Sequence, residues 1–156
     1  MKKCLIFLIA IMTLLPSALA SADSSSTNAT TYFTSMNTSS KGVTAKADYI
    51  QWYRGERANQ EAQKDHECYW YKGKCYVPDD YYIRNVNKKI RSLKISKSAV
   101  ITMVTYQIEK TNDIKKQRIS LSAFTKEMKN KRYRYIPFHI TVKNGVIVKI
   151  TEQYIP

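Results

Sequence analysis

The sequence predicts a mainly β domain of the α+β kind: a small curved antiparallel sheet or an OB-like barrel with one or two short helices. Three observations predict it. Apolar residues alternate with period two in several short stretches, most clearly around Val43–Tyr53, Val100–Ile108 and Phe138–Ile150. Only Ile119–Met128 carries a well-formed helical stripe. The chain has 156 residues, 44% hydrophobic, with 4 Gly and 4 Pro, which suits one core and excludes collagen-like or wholly disordered chains.

The first residues stand apart from that domain. Lys2 and Lys3 precede an apolar run from Cys4 to Leu15, and Pro16 breaks it ahead of small residues. The run is shorter than the ~20 apolar residues a spanning helix needs, so it reads as an export signal rather than an anchor. Cleavage is expected after Ala22, with Ala20 as the alternative. Cys4 stands at the start of the run and not after it, which argues against lipid attachment there. Cleavage after Ala22 removes two lysines and no acid, lowering the formal charge from +14 to +12. The expected location is secreted or cell-envelope associated.

Residues 23–41 are rich in Ser, Thr and Asn and nearly uncharged, which predicts a flexible leader before a single β-rich domain over 42–156. Within the leader, Thr30–Met36 suits a first strand. Val43, Ala45, Ala47 and Tyr49 alternate, then Ile50 and Trp52 shift the phase, predicting a strand with a bulge or bend near Tyr49–Ile50. Gly55 ends it. Glu56–Asp65 is compatible with a surface helix in which only Ala58 and Ala62 share a face.

Export decides how the remaining cysteines read. Cys68 and Cys75 form an even pair in an oxidising compartment, which predicts a disulfide clipping an aromatic loop around a Lys72-Gly73 turn. Such a clip contributes about 2–3 kcal/mol in the chain-entropy model. Two free thiols or half of a zinc site are the alternatives. Zinc would need His66 and His139 as well, and their spacing matches no common module, so neither a metal nor a cofactor is expected.

Further on, Tyr81–Ile83 begins a strand, and Ile90–Ile95 and Val100–Ile108 are two more, separated by a Ser96-Lys97-Ser98 loop. In the helix over Ile119–Met128, Ser120 is the cap, Ile119 staples onto Phe124, and Leu121, Phe124 and Met128 make the stripe. The last stretch is a hairpin whose turn can be chosen by facing. A three-residue loop, Lys143-Asn144-Gly145, pairs Val142 with Val146, Ile140 with Val148 and Phe138 with Ile150, and puts all six apolar side chains on one face.

Four segments resemble a family of uncharacterised secreted or membrane-attached bacterial proteins. They are Asp48-Tyr49-Ile50-Gln51-Trp52 with Gly55-Glu56-x-Ala58, Asp80-Tyr81-Tyr82-Ile83-Arg84-Asn85-x-Asn87 with Lys89-Ile90-Arg91, the Ile119–Met128 helix, and the ending Ile150-Thr151-Glu152-Gln153-Tyr154-Ile155-Pro156. The resemblance implies export and a single small β-rich domain, and no activity. The Cys68–Cys75 insertion departs from the pattern, which has a plain acidic loop there.

Charge carries the functional reading. Residues 81–156 hold 17 bases and 4 acids, so the C-terminal half supplies the whole positive excess. Candidate ligand-binding residues are Arg84, Asn85, Asn87, Lys88, Lys89 and Arg91 in one stretch, and Arg132, Tyr133, Arg134 and Tyr135 in another. The bland reading of the first stretch has Asn85 and Asn87 satisfying a turn and Arg84 paired with an acid such as Glu152. The leading expectation is a secreted non-catalytic module contacting an anionic cell-envelope polymer. A secreted inhibitor or immunity-type protein that docks a protein partner through loop 68–75 is the alternative, and an enzyme is the third. Nucleic acid is a poor fit for an exported chain without a binding motif. No Gly-rich phosphate loop, nucleophile elbow or HExxH is present, and His66 and His139 have no placed acid partner.

Overall fold

A computed structural model describes residues 25–155. The expected export signal and its cleavage sites at Ala20 and Ala22 lie outside the described residues. In chain order the elements are β1 (Ser26–Ser39), β2 (Gly42–Arg54), α1 (Gly55–Lys64), β3 (Tyr69–Tyr71), β4 (Lys74–Tyr76), β5 (Tyr81–Arg84), β6 (Ile90–Met103), the single turn α2 (Ile108–Thr111), β7 (Gln117–Ile119), α3 (Leu121–Glu127), β8 (Phe138–Lys143) and β9 (Val146–Glu152).

Five of these strands close a barrel. β1 pairs antiparallel with β2 and with β8, β2 with β6, and β8 with β9, while β6 and β9 run parallel and complete the circle. The parallel pair needs a long crossover, and the chain between β6 and β8 supplies it with α2, β7 and α3. This is an OB-like barrel, mixed rather than purely antiparallel. β5 extends the far end of β2, and β7 the far end of β6.

Alternation fills the interior. Val43, Ala45 and Ala47 of β2, Phe33 of β1, Ile95, Ile101 and Met103 of β6, and Phe138, Ile140 and Val142 of β8 are all buried. α3 plugs one end. Ser120 caps it by accepting from the Ala123 N–H at 3.1 Å, and Phe124 packs edge-on against Phe33 and Phe138 at centroid distances of 6.0 and 5.7 Å. Such aromatic pairs contribute about 0.5–1.5 kcal/mol each beyond area burial.

Four sequence readings need correction. The flexible leader over 23–41 is largely β1, a barrel strand bonded on both sides that contains the expected Thr30–Met36 strand and turns Thr31 and Phe33 toward the core. Ser96-Lys97-Ser98 is not a loop between two strands. β6 runs through it, and pairing jumps from Ile95↔Ile147 to Val100↔Lys149, so the extra residues bulge out of the parallel ladder. That strand stops at Met103, short of Ile108, which begins α2.

The fourth correction is the last turn. It has two residues, Asn144 and Gly145, both at positive φ, with Lys143 paired to Val146 and Val142 to Ile147. A bulge at Val148 then moves the register by one, giving Ile140↔Ile150 and Phe138↔Glu152. Phe138, Ile140, Val142, Ile147 and Ile150 are buried together, so the bulge resolves the facing conflict that the three-residue loop was meant to solve.

The phase shift in β2 has a structural counterpart. β2 keeps β6 as partner to Asp48↔Ile90, and from Gln51↔Arg84 it takes β5 instead. Its last residues thereby curl away from the barrel and carry α1, the hairpin and β5 with them.

Candidate functional site

The first predicted stretch folds into the base of that outgrowth. Gly55, at φ +57, turns the chain from β2 into α1, whose Ala58 and Ala62 are buried. The opposite carboxylates meet Arg84. Its Nε donates to Asp65 Oδ2 at 2.6 Å, Nη1 to Glu61 Oε2 at 2.7 Å and to the Tyr53 hydroxyl at 3.3 Å, and Nη2 to the Glu61 carbonyl at 3.0 Å. Tyr82 adds a hydroxyl donated to Asp65 at 2.8 Å.

These bonds shift the groups that make them. Hydrogen bonds from Lys64 and Arg84 hold the Glu61 carboxyl below its ordinary range, and bonds from Arg84 and Tyr82 do the same for Asp65. Burial, reinforced by Asp65, pushes the Tyr82 phenol up to about 12. Arg84 is therefore a clamp between β5 and α1. The sequence reading paired it with Glu152 and also offered it as a ligand contact. Its acids are Glu61 and Asp65, and most of its donors are occupied.

The rest of the stretch is divided. Asn85 donates to Asp48 Oδ2 at 2.8 Å, and Asn87 Oδ1 accepts from the Lys89 N–H, a local turn bond. The Arg91 guanidinium lies 4.1 Å over the Tyr49 ring. Lys88 and Lys89 are exposed.

The second stretch is a 3-10 turn, Lys131–Arg134, capped by Asn130. Tyr133 is 1% exposed and donates its hydroxyl to the Thr105 carbonyl at 2.9 Å, so it is a core residue and cannot meet a ligand face-on. Arg132 covers its ring at 5.2 Å. Arg134 and Tyr135 are exposed. Arg134 joins Lys126 and Lys129 of the α3 region on the rim of a groove of about 710 Å³. β1 forms the other wall, with Thr34, Ser35 and Thr38 offering hydroxyls above Met36 and Met128. No carboxylate lines it. The two predicted stretches are thus separated, one beside the β2–β5 junction and one between β1 and α3.

A second groove, of about 600 Å³, lies on the outer wall where β2 curls away. Trp52, Arg54, Arg57, His139 and Lys149 line it, and none of these was singled out as a ligand contact in the sequence. They come from four elements, and only the barrel's closure brings them together. Alternation on β8 and β9, which turns His139 and Lys149 outward, was the one available signal.

The clipped loop forms as expected. Cys68 and Cys75 are bonded, β3 and β4 make a hairpin around Lys72-Gly73, and Cys75 packs on α1. Tyr69, Trp70 and Tyr71 are 71%, 63% and 62% exposed. Cross-strand pairing puts Tyr69, Tyr71 and Tyr76 on one face with Lys74.

Among the described residues, no three His, Cys, Asp or Glu side chains gather as metal ligands would, and no helix is long and apolar enough to cross a membrane. No protein-family model, curated protein or solved structure matches this chain.

Proposed function

We propose that this is an exported, non-catalytic module that binds an anionic cell-envelope polymer through its basic C-terminal half. One observation carries the reading. Of the 17 bases in residues 81–156, only Arg84 and Lys115 lie within ion-pair distance of a carboxylate among the described residues. Glu152, one of the four acids there, is spent in the core. The remaining cations keep their attraction for an outside anion, and Lys126, Lys129 and Arg134 concentrate it beside a groove free of carboxylates.

A nucleic acid is a weaker fit. The paired outer positions of β2 and β6 are Thr44 with Lys94 and Lys46 with Ser92, which offer no ring for a base to stack on. The test is retention of the mature protein on heparin or anionic wall polymer across a salt series. Retention should fall steeply with salt, and K126Q/K129Q/R134Q should elute earlier. Retention that ignores salt would overturn the reading.

The exposed tyrosine face of the hairpin favours a second reading, an inhibitor or immunity-type protein docking one protein partner. C68S/C75S should keep the barrel's circular dichroism, because β3–β4 is a separate two-stranded sheet, and should lower the thermal midpoint by no more than the loss of about 2–3 kcal/mol implies. The same variant should speed proteolysis at Lys72 and Lys74. If polymer retention survives that change, the hairpin is dispensable for the first reading.

A further inference from the structure

The groove on the outer wall is built differently from the one beside α3, and we infer that it is a distinct subsite for a sugar unit bearing a phosphate or carboxylate. Its floor is polar and its hydrogen bonds are already oriented. Gln153 Nε2 donates to the Tyr154 carbonyl at 2.8 Å, which leaves Gln153 Oε1 as an acceptor for His139 Nε2–H at 3.0 Å. His139 Nδ1 lies against the Thr30 hydroxyl, also at 3.0 Å. Beside this chain, Thr141 donates to Asn28 Oδ1 at 2.8 Å. The Thr30 and Thr141 hydroxyls and the Asn28 side chain, which line the groove, keep spare lone pairs or N–H for a ligand hydroxyl. Both ring nitrogens of His139 are engaged and hold that floor in place.

The walls supply the rest of the recognition. The half-buried indole of Trp52 is held by Tyr81, stacked at 4.7 Å with planes 15° apart, and offers an apolar surface to a sugar ring. Arg54, Arg57 and Lys149 stand on the rim, and no carboxylate lines the groove. Arg54 is shared with Asp80 at 3.9 Å from outside, and Arg57 lies 5.2 Å over Tyr53, so Arg57 and Lys149 are the cations left to an anion. An aromatic wall, a polar floor without carboxylates and a cationic rim fit an anionic sugar better than a bare anion or a neutral glycan. A volume of about 600 Å³ is in the range of small-ligand clefts.

The chain has two tryptophans, Trp52 and Trp70, so W70F leaves Trp52 as a reporter inside the groove. This variant is titrated with glucose 6-phosphate, glucuronate, glucose and inorganic phosphate while indole emission is followed. Saturable changes are expected with the first two, with glucose and phosphate about tenfold weaker. Saturation by glucose 6-phosphate alone or glucuronate alone identifies which anion the site takes. R57Q/K149Q, both exposed positions, should weaken binding about tenfold, and K126Q/K129Q/R134Q should leave it unchanged. Equal response to inorganic phosphate, no saturation with either anionic sugar, or indifference to R57Q/K149Q overturns the subsite. The outcome is independent of polymer retention, which the α3 triple variant reads.

Discussion

The Glu152 carboxylate lies at the end of β9, 3% exposed, and accepts from the Val104 N–H at 2.6 Å, the Thr105 N–H at 3.0 Å and the Thr105 hydroxyl. Those two amides belong to the residues just after β6 ends, where no strand partner remains to receive them. Tyr133 closes the same knot from α3's side by donating to the Thr105 carbonyl. A buried charge is tolerated here because donors surround it. Glu152→Gln keeps the shape but turns one acceptor oxygen into a donor facing donors. It should cost about 2–3 kcal/mol, lowering the thermal midpoint by roughly 5–10 °C. Differential scanning calorimetry checks this, and an unchanged midpoint would show that the knot contributes little. None of it was legible in the sequence, where Glu152 read as a partner for Arg84. The acid's true partners are backbone amides, which carry no residue signature.

At the scale of elements, α1 is held to β5 by charge as well as by its two alanines, and that makes its anchoring depend on pH. Glu61 and Asp65 have lowered folded values, so their contribution is present above the ordinary carboxylate range near about 4 and is lost as pH falls through the lowered values. Tyr82 has the opposite sense. Its neutral form is favoured in the fold, so its contribution is full below about 10 and lost as pH rises through about 12. α1 amides should therefore exchange slowly between those limits and faster outside them. Arg84→Met should speed their exchange at neutral pH and flatten the acid limb, while Tyr82→Phe should soften only the alkaline one. Hydrogen exchange resolved by residue reads both. Profiles with the same limbs as the parent would remove the clamp.

The same scale shows why some elements could be read in advance and others not. Ser120 and the stripe of Leu121, Phe124 and Met128 are local signals, and α3 follows from them. Lys72-Gly73 and the flanking cysteines likewise encode the hairpin within eight residues. Bulges are different. Val148 and Ser96–Ala99 shift register without any residue type that demands it, and only the partner strand shows the need. The start of β1 was missed for a related reason: Thr30–Met36 reads as a strand, but Ser26–Ala29 are polar or small, and their strand character comes from pairing with β8.

For the molecule as a whole, the question is whether an anionic polymer senses total charge or a particular place. Total charge steers encounter at long range, while contact at a groove releases counterions locally, and the two give different salt dependences. Two variants with the same loss of three charges separate them. K126Q/K129Q/R134Q empties the rim of the groove beside α3, whereas K88Q/K89Q/K97Q removes exposed cations that line neither groove. If the groove is the contact, the first variant loses far more affinity. Its slope of log affinity against log salt falls by about two to three, as expected for that many released counterions. The second should shift retention slightly and keep the slope. Equal losses would mean that the polymer reads the field of the molecule and that the α3 groove has no special part. A larger loss in the second variant would move the contact to the start of β6, where Lys88 and Lys89 sit beside Arg91.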